Sequence, residues 1–181
     1  MSEVNKNQKD FWSGKGGDIW VERQNAMDTM LSPLGEAALN KLNLNEGENV
    51  LDIGCGCGNT TLNIAKRISP DGQVTGLDIS EPMLKRAKES ANEMSISNAS
   101  FNCVDVQTDD IGEEVYSAAF SRFGVMFFED PVAAFCNINK SLIKLGSKIY
   151  KIIILLFFFS FPLSVNAHVQ HYADLNRIEF D

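Results

Sequence analysis

Apolar and polar residues follow two different periods along this chain, and the two periods alternate. Short apolar runs are typical of strands, and apolar residues at every third or fourth position are typical of helices. The runs predict strands at residues 49–53, 73–78, 99–104 and 118–123. The helical spacing predicts helices at residues 60–68, 80–92 and 131–142. Strands that alternate with helices predict βαβ units and a parallel sheet, which is an α/β fold.

The residues before the first strand carry weaker signals. Ser32 and Pro33 precede an amphipathic segment at residues 34–42, and they predict a helix with its cap at Ser32 and proline near its first position. Residues 1–9 are polar and are expected to be frayed at the terminus. Residues 13–17 are rich in glycine and are expected to form a flexible segment.

The composition restricts the class of protein. The chain has 181 residues, of which 44% are hydrophobic and 22% are charged, so one domain with a buried core is expected. The formal net charge is −8, which argues against a nucleic-acid partner, because such partners need a basic surface. No membrane partner is expected for the main body. The four cysteines do not form a disulfide framework, and they predict a reduced protein of the cytoplasm.

The loop after the first predicted strand is the most informative stretch. It reads Asp52-Ile-Gly-Cys-Gly-Cys-Gly58, with three alternate glycines between a strand and a helix. Such a loop allows a ligand to approach the backbone, although a glycine-rich turn without a ligand is the alternative. The acidic Asp52 can accept from an ammonium group, and the helix that begins near Asn59 offers N–H groups to an anion. A zwitterionic amino-acid group therefore suits this loop better than a pyrophosphate.

Two further carboxylates follow predicted strands. Asp78 ends the second strand, about 20 residues after the glycine loop, at a distance typical of ribose recognition. Asp105 follows the third strand. Each aspartate taken alone is more often a cap or a solvated loop residue. Because the carboxyl ends of parallel strands meet at one edge of the sheet, the three features together predict a nucleoside-like site.

These motifs resemble those of class I S-adenosylmethionine-dependent methyltransferases. The resemblance rests on the order Val50-Leu-Asp-Ile-Gly-Cys-Gly-Cys-Gly58, Gly76-Leu-Asp-Ile79 and Asp105, and it extends from about Trp20 to Gly146. Residues 121–128, Ser-Arg-Phe-Gly-Val-Met-Phe-Phe, are especially similar to small-molecule methyltransferases of ubiquinone and menaquinone biosynthesis. The resemblance implies a Rossmann-like, doubly wound parallel sheet. It also implies that the sheet is incomplete, with four to five of the family's seven strands.

The resemblance also implies roles for residues of the glycine loop. Gly54, Gly56 and Gly58 would line the methionine part of the S-adenosylmethionine cofactor, with Cys55 tucked under it. Asp52 would contact the amino group of the cofactor, directly or through water. Cys55 and Cys57 could instead be half of a metal site, but no second pair of ligands lies nearby in sequence. No metal is therefore expected.

The remaining roles implied by the resemblance concern the nucleoside and the lid. Asp78 would bind the ribose hydroxyls, with Ile79 beside the adenine. Asp105 would accept from the adenine amino group, and the Val106 backbone would lie alongside. The residues that would edge the methyl-transfer site are Ser121 and Phe123, and those of a segment that closes over the cofactor are Trp20 and Gln24.

The function implied is methyl transfer from S-adenosylmethionine to a small-molecule acceptor. A sulfonium methyl group is already activated, so the enzyme needs mainly in-line positioning and exclusion of water. No general base is identified in the sequence. One alternative is a fragment that binds the cofactor without transferring the methyl group. A nicotinamide-dependent oxidoreductase is disfavoured, because the third glycine comes one residue too early.

Residues 147–181 differ in character from residues 1–146, which are assigned to the cofactor-binding domain. A basic start at 148–151, an apolar run at 152–161 and small residues at 165–167 resemble a secretory signal peptide. We interpret this as a chimeric reading, in which a truncated methyltransferase is joined to the start of a secreted protein. The alternatives are a buried fifth strand at 148–155 and a membrane anchor, although the apolar run is shorter than the roughly 20 residues needed to span a bilayer.

Overall fold

A parallel sheet of five strands lies at the centre of the computed structural model, which describes residues 5–144 and the backbone of residues 151–155. The strands are β1 (Asn49–Ile53), β2 (Gln73–Asp78), β3 (Ala99–Cys103), β4 (Ala118–Arg122) and β5 (Lys151–Leu155). Their order in the sheet is β3-β2-β1-β4-β5, and every pair is parallel. The predicted α/β fold with a doubly wound parallel sheet is confirmed.

Helices connect the strands and precede the first of them. They are α1 (Lys6–Ser13), α2 (Lys15–Glu22), α3 (Gln24–Leu42), α4 (Asn59–Ile68), α5 (Glu81–Glu93) and α6 (Pro131–Ser141), with a 3-10 turn at Gly124–Phe127. The helices predicted from the period of the apolar residues after β1 are present, with ends that differ by one residue. Hydrogen bonds from backbone N–H groups to Ser80 and Asp130 cap the starts of α5 and α6.

Apolar clusters on both faces of the sheet hold the helices against the strands. Successive side chains of a strand point to opposite faces, so neighbouring residues of β1 enter different clusters. Val50 packs with Ile64 of α4 on one face. Leu51 packs with Ile138 of α6 on the other face. All four side chains are at most 1% exposed, which fixes the register of β1 and the edge at which its glycine loop emerges.

The N-terminal residues form helices that pack on the corner between β2 and α5, so the predicted flexible segment at residues 13–17 is wrong. The hydroxyl of Ser80 donates to the Trp12 carbonyl at 2.6 Å, and the hydroxyl of Ser13 donates to the Ile79 carbonyl at 3.0 Å. A Cβ at Gly17 would lie 2.0 Å from the Trp12 carbonyl oxygen. The glycine is therefore present for close packing and not for flexibility.

Helix α3 begins at Gln24, eight residues before the predicted start at Ser32, and Pro33 lies inside it. The Ser-Pro pair is a common helix start, but here the buried face of the helix continues through the proline. Leu31 lies on the same face as Ala38 and Leu42, and all three are buried. This burial outweighs the backbone hydrogen bond that Pro33 cannot donate.

Strand β5 lies beside β4 and comes from the segment for which the sequence left three interpretations open. In its register, Ala118 of β4 is opposite Lys151, and Arg122 is opposite Leu155. Residues 151–155 therefore share the sheet with the main body. The remaining residues of the signal-like segment, 147–150 and 156–181, lie outside the described part of the chain. Within the described part, no helix combines the length and the apolar character that crossing a membrane requires.

Candidate functional site

A cavity of about 640 Å³ opens at the carboxyl ends of the central strands. The loops after β1, β2, β3 and β4 form its floor, and side chains of α1, α2 and α3 form its cover. Its volume falls within the range of small-molecule sites, roughly 300–1,000 Å³. In α/β proteins this edge of the sheet is the usual place for a ligand.

The three glycines of the loop after β1 have different structural roles. Gly54 has a φ of 67°, and a Cβ there would lie 2.5 Å from the Gly124 Cα. Gly58 has a φ of 84°, and a Cβ there would lie 2.9 Å from the Ala87 Cβ. These two glycines allow the loop to pack closely against its neighbours. Gly58 was predicted to line the methionine part of the cofactor, but it does not line the cavity. Gly56 faces open space, because its Cβ would meet only the Met83 sulfur at 3.8 Å.

Asp78 lines the cavity and joins the glycine loop to the start of α5. Its Oδ2 accepts from the Gly56 N–H at 2.8 Å, and its Oδ1 accepts from the Ser80 N–H at 2.9 Å. Burial raises the pKa of the Asp78 carboxyl, and the backbone donors oppose that effect. Ile79, the next residue, also lines the cavity. Asp78 and Ile79 therefore face the same cavity, and their roles toward a nucleoside stay predictions.

Asp105 lines the cavity as predicted, and an N-terminal side chain already holds its carboxylate. The Nδ2 of Asn5 donates to the two Asp105 oxygens at 3.0 and 3.1 Å. Asn5 is itself fixed by Glu129, whose backbone N–H donates to the Asn5 Oδ1 at 3.1 Å. Asn5 is only 4% exposed, although residues 1–9 were expected to be frayed. Val106 lines the cavity beside Asp105.

Asp52 does not line the cavity. A direct contact with the amino group of the cofactor is not supported by this position, and a contact through water stays a prediction. Its side chain is fully buried and points to the first turn of α4, where the hydroxyls of Thr60 and Thr61 donate to its Oδ2 at 2.7 and 2.6 Å. Its Oδ1 is buried without a hydrogen-bond partner. Burial raises the pKa of Asp52 from 3.8 to about 6, against the opposing effect of the two threonines.

We expect Asp52→Asn to be more stable than the wild type at pH 7. The Asp52 carboxyl binds a proton between pH 3.8 and about 6 in the folded protein but not in the unfolded chain. The free energy of unfolding of the wild type therefore falls as the pH rises through this window, by about 3 kcal/mol in total. The asparagine variant has no carboxyl group to ionise at this position, so its free energy of unfolding does not fall for this reason.

Urea denaturation at pH 4, 5, 6 and 7 measures the effect. The difference in unfolding free energy between Asp52→Asn and wild type should grow with pH up to about 6 and then remain constant. Asp71→Asn, at an exposed turn residue, is the matched control for the change of an aspartate to an asparagine. A constant difference between Asp52→Asn and wild type across the whole range would contradict the raised pKa.

Two other predicted residues lie away from the cavity. Ser121 is fully buried, and its hydroxyl donates to the Ile53 carbonyl at 2.8 Å, so it joins β4 to β1. Gln24 accepts from the Arg86 Nε at 2.9 Å and does not line the cavity. The predicted residues that do line it are Trp20, Gly54, Cys55, Gly56, Asp78, Ile79, Asp105, Val106 and Phe123.

An ion pair that was not predicted from the sequence lies in the cavity wall. The Nη2 of Arg122, at the end of β4, lies 3.5 Å from the Oδ1 of Asp28 in α3. The Nη1 of Arg122 donates to the Asn59 Oδ1 at 3.2 Å. Burial raises the pKa of the Asp28 carboxyl, although Arg122 and Gln24 lower it. The available signal was a lone arginine at the end of an apolar strand.

Six apolar residues form much of the wall around the opening of the cavity. Four of them come from α3 and two from the turn after β4, and the structure brings them together around the opening. They are Met27, Met30, Leu31, Leu34, Met126 and Phe127. Met27, Met30 and Leu31 were not predicted to line a site, because they precede the predicted start of α3.

Known proteins resemble this chain over the part that forms the site. Residues 50–146, just over half of the chain, match the family model described as a methyltransferase domain. The chain is 32% identical over 120 residues to the 23S rRNA (uracil(1939)-C(5))-methyltransferase RlmD of Acinetobacter baumannii (strain AB0057), covering 66% of this chain and 25% of that protein. It is 30% identical over 103 residues to the aklanonic acid methyltransferase DauC of Streptomyces sp. (strain C5), covering 57% of this chain and 47% of that protein.

A solved structure shares the fold. A SAM-dependent methyltransferase from Aquifex aeolicus superposes with a TM-score of 0.57 at 22% identity, covering 60% of this chain and 58% of that one. Among the curated relatives, the match spans only about a quarter of the rRNA methyltransferase and about half of DauC. A match over part of their length does not by itself assign the activities of those two proteins to this chain.

The expectation of no nucleic-acid partner, which rested on the net charge, is wrong. The chain matches an rRNA methyltransferase over 120 residues despite its formal charge of −8. Net charge is a property of the whole surface, whereas nucleic-acid phosphates bind to a local patch of basic residues. In a longer relative, that local surface can also lie outside the matched region.

Proposed function

Because the chain belongs to the family of methyltransferase domains, we propose that it transfers a methyl group from S-adenosylmethionine to a small, largely apolar acceptor. It is a class I methyltransferase domain, and its cofactor is S-adenosylmethionine. The observation that carries the proposal is the cavity at the carboxyl edge of the sheet, where Asp78 and Asp105 flank the open position above Gly56.

The residues around the cavity fit this cofactor. The open space above Gly56 lets a ligand lie directly on the backbone of the loop. Asp78 accepts two backbone N–H groups and retains lone pairs for ribose hydroxyls, since a carboxylate offers about four acceptor sites. Asp105 would accept from the adenine amino group, and Ile79 and Val106 would supply the apolar sides of the base site.

The bound cofactor supplies an activated methyl group on a sulfonium. The chain's own residues then have to hold the reactants in line and exclude water. Trp12 lies in the cavity wall, with edge-to-face contacts to Trp20 at 6.0 Å and to Phe127 at 5.1 Å between ring centroids. This aromatic group forms part of the cover that keeps water away from the reacting atoms.

The apolar opening supports a small apolar acceptor. Met30, Leu34 and Phe127 line the cavity, yet their side chains are 60%, 44% and 39% exposed. Large exposed apolar side chains that border a cavity are typical of a ligand-binding surface. The similarity of residues 121–128 to small-molecule methyltransferases also supports this acceptor class.

We also propose a reducing compartment, such as the cytoplasm, for the protein. All four cysteines are free thiols, and two of them are buried in the glycine loop. Burial raises the pKa of Cys57 to about 12, so its reactive thiolate form is disfavoured at neutral pH. These thiols suit a structural role under the loop.

Calorimetry and transfer assays test the proposed function in two steps. Titration with S-adenosylhomocysteine should give saturable binding, and titration with NAD should give none. Transfer from radiolabelled S-adenosylmethionine is then measured to a panel of apolar hydroxyl, amine and carbon acceptors and, separately, to ribosomal RNA. Transfer to the small molecules supports the proposal. Binding without any transfer supports a fragment that only binds the cofactor, and transfer to RNA alone overturns the acceptor class.

We expect Asn5→Ala to bind S-adenosylhomocysteine about two- to tenfold more tightly than the wild type. The Asn5 amide occupies both oxygens of Asp105, and its removal frees the carboxylate for the adenine amino group. The expected gain in affinity corresponds to the removal of one competing hydrogen bond, about 0.5–1.5 kcal/mol. Calorimetry measures the change, with Asn45→Ala, at an exposed residue, as the control. Weaker binding by Asn5→Ala would show that Asn5 positions Asp105 for the ligand.

A further inference from the structure

The amino-acid arm of the cofactor carries an ammonium and a carboxylate group, and both need partners in the protein. The inference that follows rests on the proposed function, in which S-adenosylmethionine binds in this cavity. Asp52, the residue first expected to contact the ammonium group, has its side chain under the loop, where Thr60 and Thr61 hold it. It has no surface in the cavity. Other residues must therefore meet the charges of the arm.

The order of the strands indicates which residues would lie near the charged groups of the arm. Along the edge of the sheet, Asp105 follows β3, Asp78 ends β2, the glycine loop follows β1, and Arg122 ends β4. With the adenine at Asp105 and the ribose at Asp78, the arm would extend across the glycine loop toward β4. Its far end would then lie near the ion pair of Arg122 and Asp28, which line the same cavity.

This ion pair has the chemistry that a zwitterion requires. Among the described residues that line the cavity, Arg122 is the one cation, and Asp28 is the acidic residue on the same side. Their side chains are 9% and 19% exposed, so both charges are largely removed from water. Solvent screens these two charges only weakly. Each side chain therefore attracts a ligand group of opposite charge more strongly than an exposed side chain would.

The ion pair is loose, and both of its residues line the cavity. The Arg122 nitrogen and the Asp28 oxygen are 3.5 Å apart, which is longer than the 2.7–2.9 Å of a close charged hydrogen bond. Arg122 is held from its other side by Asn59, the first residue of α4. A guanidinium offers five N–H donors, so Arg122 can keep its contact with Asn59 and still bind a carboxylate.

We propose that Arg122 and Asp28 recognise the amino-acid arm of S-adenosylmethionine, with Arg122 binding its carboxylate and Asp28 accepting from its ammonium group. Asp52 then has a structural role, in which it fixes the first turn of α4 under the glycine loop. The ion pair sets the preference of the site for a nucleoside that carries an amino acid over a nucleoside that does not.

Calorimetry with two nucleosides tests the proposal without any methyl acceptor. S-adenosylhomocysteine carries the arm, and 5′-methylthioadenosine keeps the nucleoside and the sulfur but lacks the arm. We expect Arg122→Gln and Asp28→Asn each to weaken S-adenosylhomocysteine binding by about 10- to 100-fold, the loss typical of a charge-assisted hydrogen bond. Binding of 5′-methylthioadenosine should change less than threefold in both variants.

Matched variants separate this effect from a general loss of structure. Asp52→Asn changes an aspartate next to the loop, and Arg67→Gln removes an arginine that pairs with Glu36 outside the cavity. Both should bind S-adenosylhomocysteine nearly as well as the wild type. Arg122→Lys, which keeps the charge, should recover part of the affinity. Unchanged binding of 5′-methylthioadenosine also shows that each variant is folded.

Three results overturn the inference. The first is unchanged S-adenosylhomocysteine affinity in Arg122→Gln and Asp28→Asn. The second is an equal loss for both nucleosides, and the third is a larger loss in Asp52→Asn than in Asp28→Asn. The proposed function fails differently: the wild type itself would then bind neither nucleoside.

Discussion

Replacing Gly54 with alanine is expected to lower the free energy of unfolding by about 2–4 kcal/mol. The new Cβ would lie 2.5 Å from the Gly124 Cα, so the backbone after β1 or after β4 would have to move. The φ of 67° adds about 1 kcal/mol of strain for any residue with a side chain. Overpacking against rigid backbone accounts for the rest, about 1–3 kcal/mol. Thermal denaturation measures it as a fall in Tm of roughly 5–15 °C.

Gly47→Ala is the matched control for this variant. Gly47 has a φ of 79°, which gives a similar strain, but a Cβ there would meet no atom within 4 Å. Its loss should therefore be limited to about 1 kcal/mol. Equal losses for the two variants would mean that strain alone acts at Gly54, and that its close approach to Gly124 contributes nothing to stability.

Replacing Asp78 with alanine is expected to weaken S-adenosylhomocysteine binding at least about 100-fold. The variant loses the carboxylate that would accept from the ribose hydroxyls, a charge-assisted interaction of about 1.5–3 kcal/mol. It also frees the N–H groups of Gly56 and Ser80, which Asp78 now holds at 2.8 and 2.9 Å. The glycine loop would then lose its attachment to α5, so the binding surface itself would be less ordered.

Two further variants make this result specific. Asp78→Asn keeps one oxygen acceptor and the shape of the side chain, and should lose less affinity than Asp78→Ala. Asp71→Ala, at an exposed turn before β2, should bind like the wild type. Calorimetry at 25 °C, with circular dichroism to confirm folding, gives the comparison. Wild-type affinity in a folded Asp78→Ala protein would disprove the nucleoside site at this edge.

The strands were predictable because short segments with apolar, buried residues alternate along the chain with segments of helical spacing. The run at 118–123 corresponds to β4 at Ala118–Arg122, and the segment at 73–78 corresponds to β2. Helix α2 was not predictable, since Gly16 and Gly17 have low helix propensity. Its place depends on contacts with the distant Ser80 corner, which no local pattern reveals.

The site was predictable where a general rule of the fold applies. Asp78 and Asp105 follow strands, and the carboxyl ends of parallel strands share one edge, so both line the cavity. The rule does not say which face a side chain takes, and Asp52 and Ser121 point away from the cavity. Arg122 and Asp28 are 94 residues apart in sequence, and only the folded chain brings them together.

The contact between Gly54 and Gly124 joins two halves of the cavity through backbone alone. Gly54 belongs to the cofactor loop after β1, and Gly124 begins the turn that carries Met126 and Phe127 into the apolar opening. A Cβ at Gly124 would in turn lie 2.7 Å from the Gly54 Cα, so neither position has space for a side chain. A substitution at either glycine is therefore expected to disturb the cofactor loop and the apolar opening together.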